Sequence, residues 1–231
     1  MKLTFIGSGS AFTVGEDNFH SNAIVESKSG KKLLIDCGSD ARLALYKLGL
    51  GYKDIDAVYV SHLHADHVGG LEWLGLTRKF DPRCSRPHLY ICDAISQDLW
   101  NHTLSGGMRT LECRVADIHD FFEVHTLHAN GWFDWEDLRF SVVQTVHVVS
   151  GFEITPSFGL MFEAAKKNIY FTTDTQFAPS QLKSFYQMAD LIFQDCETAK
   201  IRSGVHAHYT QLVQLDAEIK SKMWLYHYNS G

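Results

Sequence analysis

The chain lacks three things, and each absence narrows what it does. It has no run of about 18 apolar residues, so no membrane-crossing helix is expected. It has no Cys-x-x-Cys: its five cysteines, Cys37, Cys84, Cys92, Cys113 and Cys196, are odd in number and scattered, which points to a reduced, cytoplasmic setting. It also has no basic surplus. Lys and Arg total 21 against 27 Asp and Glu, a formal net charge of −6. A protein that grips a long polyanion normally carries excess positive charge, so a small substrate is favoured over a long nucleic acid. The apolar opening, Met1 to Ile6, is too short for a secretion signal and is interrupted by Gly7-Ser8-Gly9-Ser10, so it reads as a first strand. No repeat, low-complexity tract or linker is visible, and one domain over residues 1–231 is expected.

Histidine is abundant, with 13 residues, and four potential metal ligands crowd one stretch. Residues 58–70 read V-Y-V-S-H-L-H-A-D-H-V-G-G. An apolar strand ends at Ser61, and His62, His64, Asp66 and His67 follow at once. Imidazole and carboxylate together suit a borderline metal such as zinc, or manganese and iron. Two residues apart in an extended segment, His62 and His64 point the same way. Asp66 and His67 come after a turn and can face a second ion.

The remaining periodicity predicts strands and helices in alternation. Strands are expected at 2–6, 21–26, 32–35, 55–61, 88–92, 138–143, 157–163, 167–172, 189–195 and 224–226. Helices are expected from Ser39 or Asp40 to Gly49 and over 68–80, 94–104, 179–188 and 211–222, with residues 105–109 flexible. Residues 81–137 include a segment rich in His and aromatics: Phe121, Phe122, His125, His128, Trp132, Phe133 and Trp135. It reads either as an inserted lid or dimer element or as ordinary strands with aromatic core residues. Three further potential ligands fall at predicted strand ends: His147, Asp174 and His227.

The H-x-H-x-D-H pattern resembles the signature of the metallo-β-lactamase-fold hydrolases. That resemblance implies an α/β chain folded as a four-layer αββα sandwich with a metal site at the sheet edge. It also implies two divalent ions, zinc or else manganese or cobalt. His62, His64 and His147 would hold one, Asp66, His67 and His227 the other, with Asp174 bridging. Such ions lower the pKa of a shared water and act as Lewis acids on a phosphoryl or carbonyl oxygen. Asp66 thus counts with the catalytic groups as well as the ligands.

Glu197-Thr198-Ala199 and His208-Tyr209-Thr210 resemble the E-A-T and H-S-T elements of the ribonuclease Z branch. By that likeness His208 is the candidate general acid and Glu197 the group that orients it, with His206 as a competing assignment. Ribonuclease Z proteins usually carry a long tRNA-gripping arm between the equivalents of His147 and Asp174. Here only 27 positions separate the two, and no arm fits. Among arm-less relatives the chain most resembles the phage and bacterial anti-Pycsar phosphodiesterases. These are homodimers that open 3′,5′-cyclic nucleotides and silence antiphage signalling, in the host cytoplasm where a phage encodes them. The expected function is therefore a dinuclear-metal cyclic-nucleotide phosphodiesterase. The alternatives are a tRNA 3′-processing nuclease and a lactonase or other ester hydrolase.

Overall fold

In the computed structural model, which describes residues 1–16 and 18–229, twelve of the fourteen strands form two six-stranded sheets and the other two a small ribbon. The chain divides accordingly into two units, Met1–Gly7 with Phe19–His128, and Ser8–Asn18 with the stretch from Ala129 onward. The expected domain boundary at Gly231 lies outside the described residues.

The first unit holds β1 (Lys2–Phe5), β2 (Ala23–Glu26), β3 (Lys32–Ile35), α1 (Ala41–Lys47), β4 (Ala57–Val60), α2 (Ala65–Val68), α3 (Leu71–Phe80) and β5 (His88–Cys92). It continues with α4 (Asp93–Asp98), a π-helical turn at Leu99–Leu104, α5 (Ser105–Met108), the small β6–β7 ribbon (Thr110–Leu111 and Arg114–Val115) and β8 (Glu123–Leu127). The sheet order is β1-β2-β3-β4-β5-β8. β1 and β3 pair antiparallel with β2, and the steps from β3 to β8 are parallel. Every residue of β4 is buried. That is what a continuous Ala-Val-Tyr-Val run requires, because a central parallel strand is covered on both faces. Its two valines each contribute roughly 1.5–3 kcal/mol by burial, so the strand that delivers His62 is firmly held.

The second unit holds β9 (Trp132–Trp135), β10 (Leu138–Ser150), β11 (Glu153–Ala164), β12 (Lys167–Phe171), α6 (Pro179–Met188), β13 (Leu191–Asp195), α7 (Tyr209–Leu212), α8 (Ala217–Lys220) and β14 (Met223–Tyr226). The order is β14-β13-β12-β11-β10-β9, antiparallel from β9 to β12 and parallel thereafter. In β10, Leu138, Phe140 and Val142 are buried while Arg139 and Ser141 are exposed. This alternation marks a sheet with one face covered. α6 starts on Pro179, whose fixed φ suits a first helical position. It packs Leu182 and Tyr186 onto Val143, Tyr170 and Ile192.

Three expectations change. Residues 105–109 are not flexible loop: α4, the π turn and α5 run on from 93 to 108. The helix expected over 211–222 is two separate turns, because α7 ends at Leu212 and α8 starts after Asp216. Within 81–137, residues 88–92, 123–127 and 132–135 are strands of the two sheets, and Phe121, Phe122, Phe133 and Trp135 are buried core residues. Trp132 is the exposed one of that group of large aromatics.

Candidate metal centre

In the first unit the motif leaves β4 at Ser61 and winds directly into α2. His62 and His64 therefore stand before the helix, and Asp66 and His67 lie within it rather than beyond a turn. Gly38 makes this possible. The backbone carbonyl of Asp66 sits 2.1 Å from where a Cβ on Gly38 would be, so no side chain fits there. The sequence element Asp36-Cys37-Gly38 is thus a close-approach point as well as a strand end.

Asp36 is the organising carboxylate of this unit. It is buried and left-handed, with φ of 62°. It accepts from the backbone N–H of Ser61 at 2.8 Å and the Ser61 hydroxyl at 2.7 Å, and its Oδ2 lies 2.7 Å from His67 Nδ1. Holding Nδ1 in this way leaves His67 Nε2 as the candidate ligand atom, 3.2 Å from Asp66 Oδ2. His62 is likewise anchored through Nδ1, 3.0 Å from the Ser61 hydroxyl, while its Nε2 lies 3.1 Å from His64 Nδ1. Zinc–nitrogen bonds of about 2.0–2.1 Å place neighbouring tetrahedral donors roughly 3.3 Å apart, so this pair is spaced as two donors to one cation would be. Two imidazoles, a buried carboxylate and a third imidazole on a carboxylate relay are a fitting donor set for a borderline divalent metal.

The second unit presents its own set. A β-bulge interrupts the β10–β11 register between Val146 and Val148, at His147. Bulges re-aim side chains, and here one turns a strand residue into a ligand candidate. His147 Nδ1 lies 2.9 Å from the Val205 carbonyl, leaving Nε2 for Asp174 Oδ2 at 3.8 Å. Asp174 follows Thr173, a threonine at positive φ (53°), and His227 itself sits at φ 63°. Non-glycine residues in this region carry strain of about 1–3 kcal/mol and concentrate at functional sites. His227 Nε2 is 3.4 Å from Asp174 Oδ2, and its Nδ1 is 3.3 Å from Asp195 Oδ1. Ligand atoms of Asp174, Asp195, His206 and His227 all lie within 4.8 Å of one another.

Glu197 and His208, expected to act together, make their side-chain hydrogen bonds to other partners. Glu197 directs both carboxylate oxygens at the backbone N–H of Ser203, at 3.0 and 2.9 Å, which pins the connecting loop. His208 is the N-cap of α7. Its Nδ1 accepts from the Thr210 N–H at 3.2 Å and lies 2.8 Å from the Thr210 hydroxyl, while Nε2 lies 2.8 Å from the Ala199 carbonyl. The pair that forms is Asp195–His206, with Oδ2 to Nδ1 at 2.8 Å. The physical reason is the parallel bridge between Glu197 and His208. Two residues back from each partner along that bridge are Asp195 and His206. Burial works against a charged His206, but the Asp195 carboxylate beside it outweighs this and raises its pKa. Asp195 is correspondingly lowered despite its own burial, by the His206 and His227 imidazoles. The same oxygen, Oδ2, also accepts from the Thr175 N–H at 2.9 Å.

Asp36 and Asp195 were not singled out from the sequence, whereas His206 stood there as the alternative to His208. A signal for the two aspartates was present, since each closes an apolar strand, as Asp174 does.

A solved structure shares this fold. The metallo-β-lactamase-fold protein YhfI of Bacillus subtilis superposes with a TM-score of 0.77 at 18% identity, covering 99% of this chain and 86% of that one. The class this defines is a metallo-β-lactamase-fold chain with buried His/Asp sets at its strand ends. Two relatives narrow the class. The Anti-Pycsar protein Apyc1 of Paenibacillus harenae is 35% identical over 233 residues, covering 99% of this chain and 90% of that protein. The Anti-Pycsar protein Apyc1 of Bacillus phage vB_BveM-Goe7 is 31% identical over 241 residues, covering 100% and 90%. The family described as "Anti-Pycsar protein Apyc1" matches residues 1–231, and the chain belongs to it.

Proposed function

We propose that this chain is a dinuclear-metal phosphodiesterase that hydrolyses 3′,5′-cyclic nucleotides to nucleoside monophosphates in the cytoplasm, and so disarms cyclic-nucleotide antiphage signalling. Where a phage encodes it, that cytoplasm is the host's. Family membership supports the substrate class. The observation that carries the chemistry is the Asp195–His206 pair beside Asp174. Opening a phosphodiester expels an alkoxide, a poor leaving group unless it is protonated, and a carboxylate-held imidazole is the group to protonate it. His206 Nε2 makes no hydrogen bond among the described residues, while Nδ1 is fixed on Asp195.

The proposed ligands are His62, His64 and His147 for one ion, Asp66, His67 and His227 for the other, and Asp174 shared. This rests on the donor chemistry of each set and on the metallo-β-lactamase-fold resemblance. Zinc suits these imidazole-rich sets, with manganese and cobalt as the alternatives. When bound, the metals supply Lewis acidity toward the phosphoryl group and an activated water. The chain's own residues do the rest: Asp36 and Asp195 hold His67, His206 and His227 in one ring orientation, and Asp174 provides the negative charge that keeps two cations compatible. No helix among the described residues is long and apolar enough to cross a membrane.

The test is incubation of the metal-loaded protein with a panel of cyclic mononucleotides, a 3′-extended tRNA precursor and a lactone. The expected product is a nucleoside monophosphate from at least one cyclic nucleotide. TRNA cleavage or lactone opening with every cyclic nucleotide intact overturns the reading.

We also propose that the protein acts as a homodimer. The tip of the β10–β11 hairpin exposes Phe152 fully, with Val149 and Ile154 beside it more than half exposed. Apolar residues grouped on a projecting hairpin suit a self-complementary contact. Light scattering in solution is expected to give twice the 26.2 kDa chain mass, and Phe152→Ser to shift it toward one chain. A wild-type mass of one chain rejects the dimer.

A further inference from the structure

Apart from the donor sets already described, the first unit carries another group of potential ligands, at the far edge of its sheet. β8 is the last strand, paired in parallel with β5. In that register His88 stands opposite Glu123, and Tyr90 opposite His125. Residues two apart on a strand share a face, so His88 and Tyr90 project to one side, as do Glu123 and His125. The side chains meet. His88 Nδ1 lies 2.9 Å from His125 Nε2 and 3.7 Å from Glu123 Oε2. One ligand atom from each of the three residues falls within 4.8 Å of the other two. His125 is further fixed by stacking on Tyr90, with centroids 4.7 Å apart and planes 17° from parallel.

We infer that His88, Glu123 and His125 form an additional binding site for a borderline divalent metal ion such as zinc or nickel. Two imidazoles and one carboxylate are a donor combination that binds zinc while leaving a fourth position open. The nitrogen separation matches that use. Donors at about 2.0–2.1 Å from one tetrahedral ion stand roughly 3.3 Å apart, close to the spacing seen here. Access is open, since the His88 side chain is 39% exposed and that of Glu123 54%. Partial burial and the neighbouring His88 hold the His125 pKa below the ordinary imidazole value. A bound ion would clip the edge strand β8 to β5, and it would do so without touching His62, His64, Asp66 or His67. The inference does not rest on the proposed substrate.

The test uses the full chain, dialysed to equilibrium against low-micromolar zinc or nickel and then counted for metal. The wild-type protein is expected to retain one more ion per chain than the His88→Ala/His125→Ala variant, with cyclic-nucleotide turnover unchanged between the two. Glu123→Gln is expected to weaken that extra ion about tenfold. Equal metal counts in wild type and double variant overturn the inference. If the double variant fails to fold, anomalous diffraction from wild-type crystals soaked in the metal decides. A peak among the three side chains supports the site, and its absence while other sites fill overturns it.

Discussion

Replacing Asp174 by Asn is expected to lower turnover by about 10³-fold or more and to reduce bound metal. Asp174 is 1% exposed and collects three imidazoles on one oxygen: His227 at 3.4 Å, and His147 and His206 at 3.8 Å each. The amide keeps the shape and removes the charge. Without that charge the imidazoles no longer converge on an anion, and two cations in the proposed site repel each other unscreened. Metal ions contribute several kcal/mol of transition-state stabilisation, and about 4 kcal/mol corresponds to three powers of ten in rate. Turnover and metal content are measured together on purified protein. A variant within tenfold of wild type, with its metal intact, would show that Asp174 is a structural residue rather than a shared ligand.

The second large effect separates two histidines only two residues apart. His206→Ala is expected to cut kcat by roughly 10²–10⁴ with metal content near normal, the usual cost of losing a general acid. His208→Ala is expected to leave kcat per folded molecule near wild type and to lower stability by about 1 kcal/mol, the usual cost of losing an N-cap. The difference follows from hydrogen bonding. Both ring nitrogens of His208 have partners at the start of α7 and in the loop before it, whereas His206 has only Nδ1 fixed. Asp195→Asn should resemble His206→Ala in rate, because the imidazole then loses the carboxylate that holds its charged form. Steady-state kinetics alongside thermal melts read both quantities. The reverse pattern, with His208→Ala inactive and His206→Ala active, returns the acid role to His208.

The H-x-H-x-D-H stretch was legible because four potential ligands are adjacent in the chain and follow a wholly apolar strand. Individual strands were legible from runs such as Val58–Val60, while their layering came from the family resemblance. Two things were not. The first was the register of the Glu197 and His208 segments. They pair across a single bridge, and the sequence left His206 and His208 both open as the acid because they lie two residues apart. The second was the bulge at His147, since an inserted residue in a pairing ladder depends on both strands at once. The helix expected over 211–222 failed for a related reason. Its apolar residues suit a helix, but the chain leaves helical geometry at Asp216, whose φ and ψ of −54° and 145° start a second turn.

The account stands or falls on whether the buried His/Asp sets hold metal that hydrolyses a cyclic nucleotide. The direct measurement is release of nucleoside monophosphate from a panel of 3′,5′-cyclic nucleotides by the wild-type protein, first stripped by a chelator and then reloaded with zinc, manganese or cobalt. The predicted result is no product from the stripped protein and restored turnover on reloading, lost again in Asp174→Asn. Full turnover by the stripped protein, or no monophosphate with any metal, would contradict it.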